Sequence, residues 1–169
     1  CFTGLKDAQE LQARLFQIVT RLGADVHSGS EFTEQITHVV APPGCRTVKY
    51  VAASITNKWL VSPEWLFACE EAGDWVSESD YGGQRFNSLQ NPFKHKIFYL
   101  SSLFIKQQSR SVFDKTCCIL LIEKLGKGKI VYEDYDGVDY RILSNQEFNS
   151  SSPFNLNFDL FLKLFPVIK

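Results

Sequence analysis

Within residues 7–22, apolar side chains fall at Leu11, Leu15, Ile18, Val19 and Leu22. That spacing puts them on one face of a helix, and Gly23 supplies the stop. Residues 24–27 are a short strand candidate, and the apolar, β-branched run at 37–41 is a second one. Pro42, Pro43 and Gly44 then break the chain before a short helix at 47–56. Trp59, Leu60 and Val61 read as a further strand. A second helix follows, with Ser62 as N-cap and Pro63 at its first position; it carries Trp65, Leu66 and Cys69 and ends near Gly73. Strands and helices alternating at this length predict a small parallel sheet with helices on both sides, an α/β fold.

Residues 83–95 show no period and are rich in Asn, Gln and other polar residues, so they read as a linker between a first unit at 1–82 and a second at 96–169. The pattern then restarts. A strand is predicted at 96–100, a helix at 112–125 closed by Gly126, and strands at 129–133 and 140–143. This internal repeat is the main organisational signal. The tail at 154–169 is the candidate for a last, divergent helix.

Composition narrows the function classes. The chain has 169 residues, 44% of them hydrophobic and 14% aromatic, which suits two small packed domains. A net charge of -1, from 18 basic and 19 acidic side chains, argues against broad coating of nucleic acid. No apolar run reaches the roughly 18 residues of a membrane span, and no signal peptide is visible. The chain opens on Cys1 and contains no Met, as expected of an excerpt from a longer protein. Its five cysteines show neither a CxxC pair nor a Cys/His zinc pattern, so reduced thiols and no metal site are expected.

Catalytic signatures are missing too. Glu70-Glu71 and Glu133-Asp134 are adjacent in sequence, and adjacent residues do not converge as an acid/base pair. Gly126-Lys127-Gly128-Lys129 lacks the rest of a P-loop and reads as a helix end and a turn. Trp59, Trp65 and Trp75 read as packing residues and His38 as a structural hydrogen-bonding group. No enzyme activity and no cofactor are expected.

The first unit resembles the BRCT family along nearly its whole length. The residues that carry the resemblance are Phe2-Thr3-Gly4-Leu5, Leu22-Gly23-Ala24, Thr37-His38-Val39-Val40, Arg46-Thr47-Val48-Lys49-Tyr50, Trp59-Leu60-Val61-Ser62-Pro63-Glu64-Trp65-Leu66, Gly73-Asp74-Trp75 and Asp80-Tyr81. The second unit shares the strand at 96–100 and Leu125-Gly126 but has no Trp. The resemblance implies two BRCT-like units in tandem, each a small parallel four-stranded sheet flanked by helices, the second divergent.

The resemblance also implies a phosphate pocket in the first unit, formed by the Thr3 hydroxyl, the Gly4 backbone N–H and the Lys49 ammonium. Thr47 would add a hydroxyl, and Arg46 would hold the peptide beyond the phosphate. Val51 and Phe113 would wall a specificity pocket. The chemistry is sound by itself: a near-dianionic phosphate needs a hydroxyl donor, an N–H that can approach closely and a cation near a helix N-terminus. A lysine in the first helical turn opposes the helix dipole, a penalty that a bound anion removes.

The implied function is a nuclear scaffold module of a larger protein, monomeric, that binds a phosphoserine or phosphothreonine peptide in DNA-damage signalling. The phosphorylated tail of a histone of the 2A class is a candidate ligand, because Arg46 suits a free carboxylate. The alternative is phosphate-independent docking through apolar surface on the Phe-rich second unit.

Overall fold

The computed structural model describes residues 1–5, 8–82, 91–107, 114–149, 152, 154–156 and 161. The chain divides between Ser88 and Leu89 into two compact units.

In the first unit, helix α1 spans Gln9–Arg21, with Glu10 in its first turn and Arg21 in its last, the charge order its dipole favours. Its predicted apolar face buries Leu15, Ile18 and Val19. After α1 come strand β1 (His38–Val40), helix α2 (Val48–Ile55), strand β2 (Trp59–Val61) and helix α3 (Pro63–Ala72), then a 3-10 turn at Glu78–Tyr81. β1 and β2 pair in parallel, His38 opposite Trp59 and Val40 opposite Val61. Phe2 adds a parallel bridge to Val40.

Side-chain alternation along these strands splits the core in two. Val40 and Val61 pack with Leu15, Ile18, Trp65 and Leu66 from α1 and α3. Val39 and Leu60 pack with Tyr50 and Ala53 from α2. The sheet is therefore helix-covered on both faces.

Two local expectations are corrected. Residues 24–27 form no strand. The Ala24 N–H caps α1 through the Val19 carbonyl, 3.1 Å away, and the His27 ring lies 2.9 Å from the Glu31 carbonyl. The segment thus follows the helix end and its own loop, and among the described residues the first unit shows a two-stranded sheet plus the Phe2 bridge where four strands were predicted. Ser62 does precede α3, with Pro63 in its first turn, yet its side chain makes no capping bond. Gly73 ends α3 in the left-handed region at φ 70.

The second unit holds β3 (Ile97–Leu100), α4 (Ser102–Gln107), α5 (Lys115–Cys118), a π-helical segment (Ile119–Leu125), β4 (Lys129–Val131), β5 (Tyr140–Ile142) and β6 (Asn155–Leu156). These strands form a four-stranded sheet in the order β4-β3-β5-β6, every pair parallel. Of the helix predicted at 112–125, the described part runs from Lys115, capped by the Asp114 carboxylate on the Cys117 N–H.

Residues 91–95, expected to end a linker, are built into this unit. Phe93 is fully buried, edge-on to Phe98 at 5.4 Å, and Asn91 donates to the Gly126 carbonyl at 3.0 Å. A Cβ on Gly126 would stand 2.6 Å from the Phe93 ring, so only glycine fits there. Gly126 to Gly128 form a helix end and turn, as the sequence predicts, with the Gly128 N–H bonded to the Ile122 carbonyl, and Lys129 begins β4. No helix among the described residues is long and apolar enough to cross a membrane.

Candidate functional site

Two of the residues predicted for the phosphate site, Thr3 and Thr47, are brought together from segments 44 positions apart. Thr3 follows the Phe2 bridge and donates its N–H to the Val40 carbonyl at 3.1 Å, which fixes it at the edge of β1. Thr47 is the N-cap of α2, extended at φ -75 and ψ 165, and its Oγ1 accepts from the Tyr50 N–H. The two threonine hydroxyls lie 2.6 Å apart.

This pair refines the sequence expectation of two independent donors. A hydroxyl has one hydrogen to give. One of the two hydrogens closes the Thr3–Thr47 bond, and the other stays available to a ligand. Either threonine can be the donor, and whichever it is, the pair keeps one hydroxyl hydrogen for a further acceptor.

Gly4 sits beside them in the left-handed region at φ 73. A Cβ there would come within 2.7 Å of the Cys45 sulfur and 3.2 Å of Pro42 Cδ. Position 4 therefore requires glycine on two counts, conformation and space.

Lys49 occupies the first turn of α2, as predicted. Its ammonium donates to the Gly29 carbonyl at 2.5 Å, and partial burial holds its pKa below the ordinary lysine value. Sequence reasoning missed two further donors. With Thr47 as N-cap, the N–H groups of Val48 and Lys49 have no intrahelical acceptor, and neither has another partner among the described residues. A capping threonine ahead of a helical run is the signal that finds them. Arg46, next to Thr47, is half-buried and has no hydrogen-bond or ion-pair partner among the described residues.

The two remaining predicted residues are not brought to this site. Val51, on α2, is fully buried and shows no surface to a ligand. Phe113 lies outside the described residues.

Other chemistry is accounted for structurally. His38 bonds Thr37 at 2.9 Å and Glu78 at 3.1 Å, and its ring stacks on Trp65 at 5.0 Å. Trp65 donates to the Val76 carbonyl and stacks on Trp75 at 5.4 Å. These are packing roles, as the sequence implied. Glu70 pairs with Arg14 and Arg21 across α1 and α3. All five cysteines are free; burial raises the Cys69 and Cys117 thiol pKa values and pushes Cys118 up to about 12. None of the three is an activated nucleophile. A cavity of about 560 Å³ lies elsewhere in the first unit, lined by Phe2, Val26, His38, Trp65 and Glu78 among others, and no predicted phosphate ligand lines it. An anion held by surface donors needs no deep cavity.

Residues 1–70 match the family model of the BRCA1 C Terminus (BRCT) domain. The chain is 34% identical over 80 residues to PAX-interacting protein 1 of Bos taurus, a stretch that is 47% of this chain and 8% of that protein. This chain thus corresponds to a small part of that relative's length. Among solved structures it is similar to the BRCT5-BRCT6 domains of S. pombe Brc1, with TM-score 0.52 and 16% identity over 78% of this chain and 71% of that one. It is also similar to a chain of the S. pombe Nbs1-Ctp1 complex, with TM-score 0.50 and 15% identity over 96% of this chain and 54% of that one.

Proposed function

We propose that this chain is a non-enzymatic module that binds phosphoserine or phosphothreonine peptides, a reading supported by the match of residues 1–70 to the BRCT family model and by a fold similar to that of a tandem BRCT pair. The observation that carries this is the Thr3–Thr47 hydroxyl pair at the open N-terminus of α2, two residues before Lys49. The remaining hydroxyl hydrogen, the Gly4 N–H, the Val48 and Lys49 N–H groups and the Lys49 ammonium are donors of the kind that the acceptor oxygens of a phosphate require. Arg46, unengaged within the described residues, is the group for the peptide beyond the phosphate. Its planar fork suits a backbone carbonyl or a terminal carboxylate.

The setting we propose is DNA-damage signalling in the nucleus, as the resemblance to the BRCT family implies. The phosphorylated tail of a histone of the 2A class is the first candidate ligand, because its free carboxylate matches Arg46. Charge-assisted hydrogen bonds of about 1.5–3 kcal/mol each, less the cost of ordering a flexible peptide, place the affinity near micromolar. A library of paired phosphorylated and unphosphorylated peptides tests this: selective retention of phosphorylated members supports it, and equal retention refutes it.

A second reading, phosphate-independent docking, is favoured by exposed aromatics on the second unit, where Tyr132, Tyr135 and Phe154 are each about half exposed. A partner still captured after phosphatase treatment would select that reading.

A further inference from the structure

We propose that Ser30 is a phosphorylation site whose phosphate occupies Lys49 from within the chain and switches the peptide site off. The inference rests on the phosphate-binding role proposed above.

The starting point is what Lys49 touches. Its ammonium donates to the Gly29 carbonyl at 2.5 Å, so the turn at 28–30 already lies against the cation assigned to the ligand. Ser28, Gly29 and Ser30 are all exposed. The turn is also held in place: the His27 ring bonds the Glu31 carbonyl at 2.9 Å, and Gly29 packs so closely on that ring that a Cβ would stand 2.9 Å from Nε2.

Ser30 follows the peptide bond whose oxygen Lys49 binds. Bond lengths alone keep its Oγ within about 6 Å of that oxygen. Ser30 is exposed and its hydroxyl has no partner among the described residues, so a kinase can reach it. The transfer is ordinary: a protein kinase moves the γ-phosphoryl group of ATP to Ser30 Oγ. The new Oγ–P bond replaces the bond to the β-phosphate oxygen, ADP leaves, and the hydroxyl proton passes to the kinase's base.

A neutral carbonyl facing Lys49 then acquires a near-dianionic neighbour. The adjacent Glu31 and nearby Glu34 repel it, and Lys49 is the cation the turn already contacts. A tethered phosphate acts at an effective concentration of about a millimolar, above what a micromolar ligand presents in solution.

The test uses the full chain with and without phosphoserine installed at position 30. Inorganic phosphate is titrated while the amide resonances of Thr3, Gly4 and Lys49 are followed, and the ³¹P resonance of the modified chain is titrated with pH. We expect the unmodified chain to bind phosphate at those amides and the modified chain to bind roughly tenfold more weakly. We also expect the phosphoserine second ionisation to fall below that of a modified Lys49→Ala chain. If the unmodified chain leaves those amides unmoved, the phosphate-binding role itself fails. If it binds and the modified chain binds equally well, or if Lys49→Ala leaves the ³¹P titration unchanged, the switch alone is overturned.

Discussion

The hydroxyls of Thr3 and Thr47 lie 2.6 Å apart, joining the residue after the Phe2 bridge to the N-cap of α2. That bond fixes the relative placement of two residues of the proposed phosphate site before any ligand arrives. It also makes Thr47 serve twice, as a helix cap and as half of a donor pair.

Thr47→Ala removes both roles. Loss of the cap is expected to lower stability by about 0.5–2 kcal/mol, read as a shift in the urea midpoint. Phosphopeptide affinity should fall as well, since Thr3 loses its anchor. Thr47→Ser keeps an oxygen in place and should recover most of both losses. A serine variant as impaired as the alanine one would contradict the dual role.

Gly4→Ala should be costlier than an exposed glycine substitution elsewhere. The left-handed backbone at φ 73 costs about 1–2 kcal/mol for a residue with a Cβ, and the Cys45 sulfur stands 2.7 Å from that Cβ. Thermal unfolding should show a lower midpoint, and the double variant Gly4→Ala/Cys45→Ala should regain part of the loss. No recovery in the double variant would mean that the clash with sulfur does not set the cost.

Phosphate affinity should fall in the alkaline range. A phosphate is a full dianion above its second ionisation near pH 6, so further loss of affinity reports the protein. Burial lowers the Lys49 pKa, and the ammonium should lose its proton, and the ligand, at a pH below the ordinary lysine value of 10.5. For unliganded stability the sign is opposite. A depressed lysine pKa disfavours the folded state while the group is charged, so its penalty is relieved as pH rises between the lowered and ordinary values. Phosphate titrations across that range check the first sign, and denaturant midpoints check the second.

The second unit should be acid-sensitive through Asp139. Its carboxylate accepts from Lys96 at 2.8 Å and from the Ile97 N–H at 2.7 Å, and these bonds hold its pKa below the usual 3.8. A depressed carboxylate pKa gives stability that is present above the ordinary value and lost as pH falls through the folded one. Asp139→Asn should flatten the acid limb of the stability curve. An unchanged limb in that variant would show that other carboxylates govern it.

Much of the first unit was legible in its sequence because period and punctuation agreed. Leu15, Ile18 and Val19 define the buried face of α1, and Thr47, Pro63 and Gly73 mark helix ends at their observed places. Residues 24–27 misled because a short segment of strand length after a helix stop says nothing about where its N–H groups go; here the first caps α1. In the second unit α4 and β6 escaped notice for a different reason. The Ser101 hydroxyl accepts the Phe104 N–H at the start of α4 and donates to Glu147, 46 positions away, a long-range bond that no local pattern records. β6 is two residues long, too short to carry a period. At the site, the residue types were visible, but the sharing of one hydroxyl hydrogen and the contact of Lys49 with Gly29 are facts of three-dimensional placement.

The most direct test of the central claim is calorimetric titration of the full chain with a library-selected phosphopeptide and with its unphosphorylated twin, repeated on Lys49→Ala. Near-micromolar binding of the phosphorylated form alone, lost or weakened at least tenfold in the variant, is the predicted result. Equal binding of the two peptides, or a variant that binds as tightly as the parent, would contradict it.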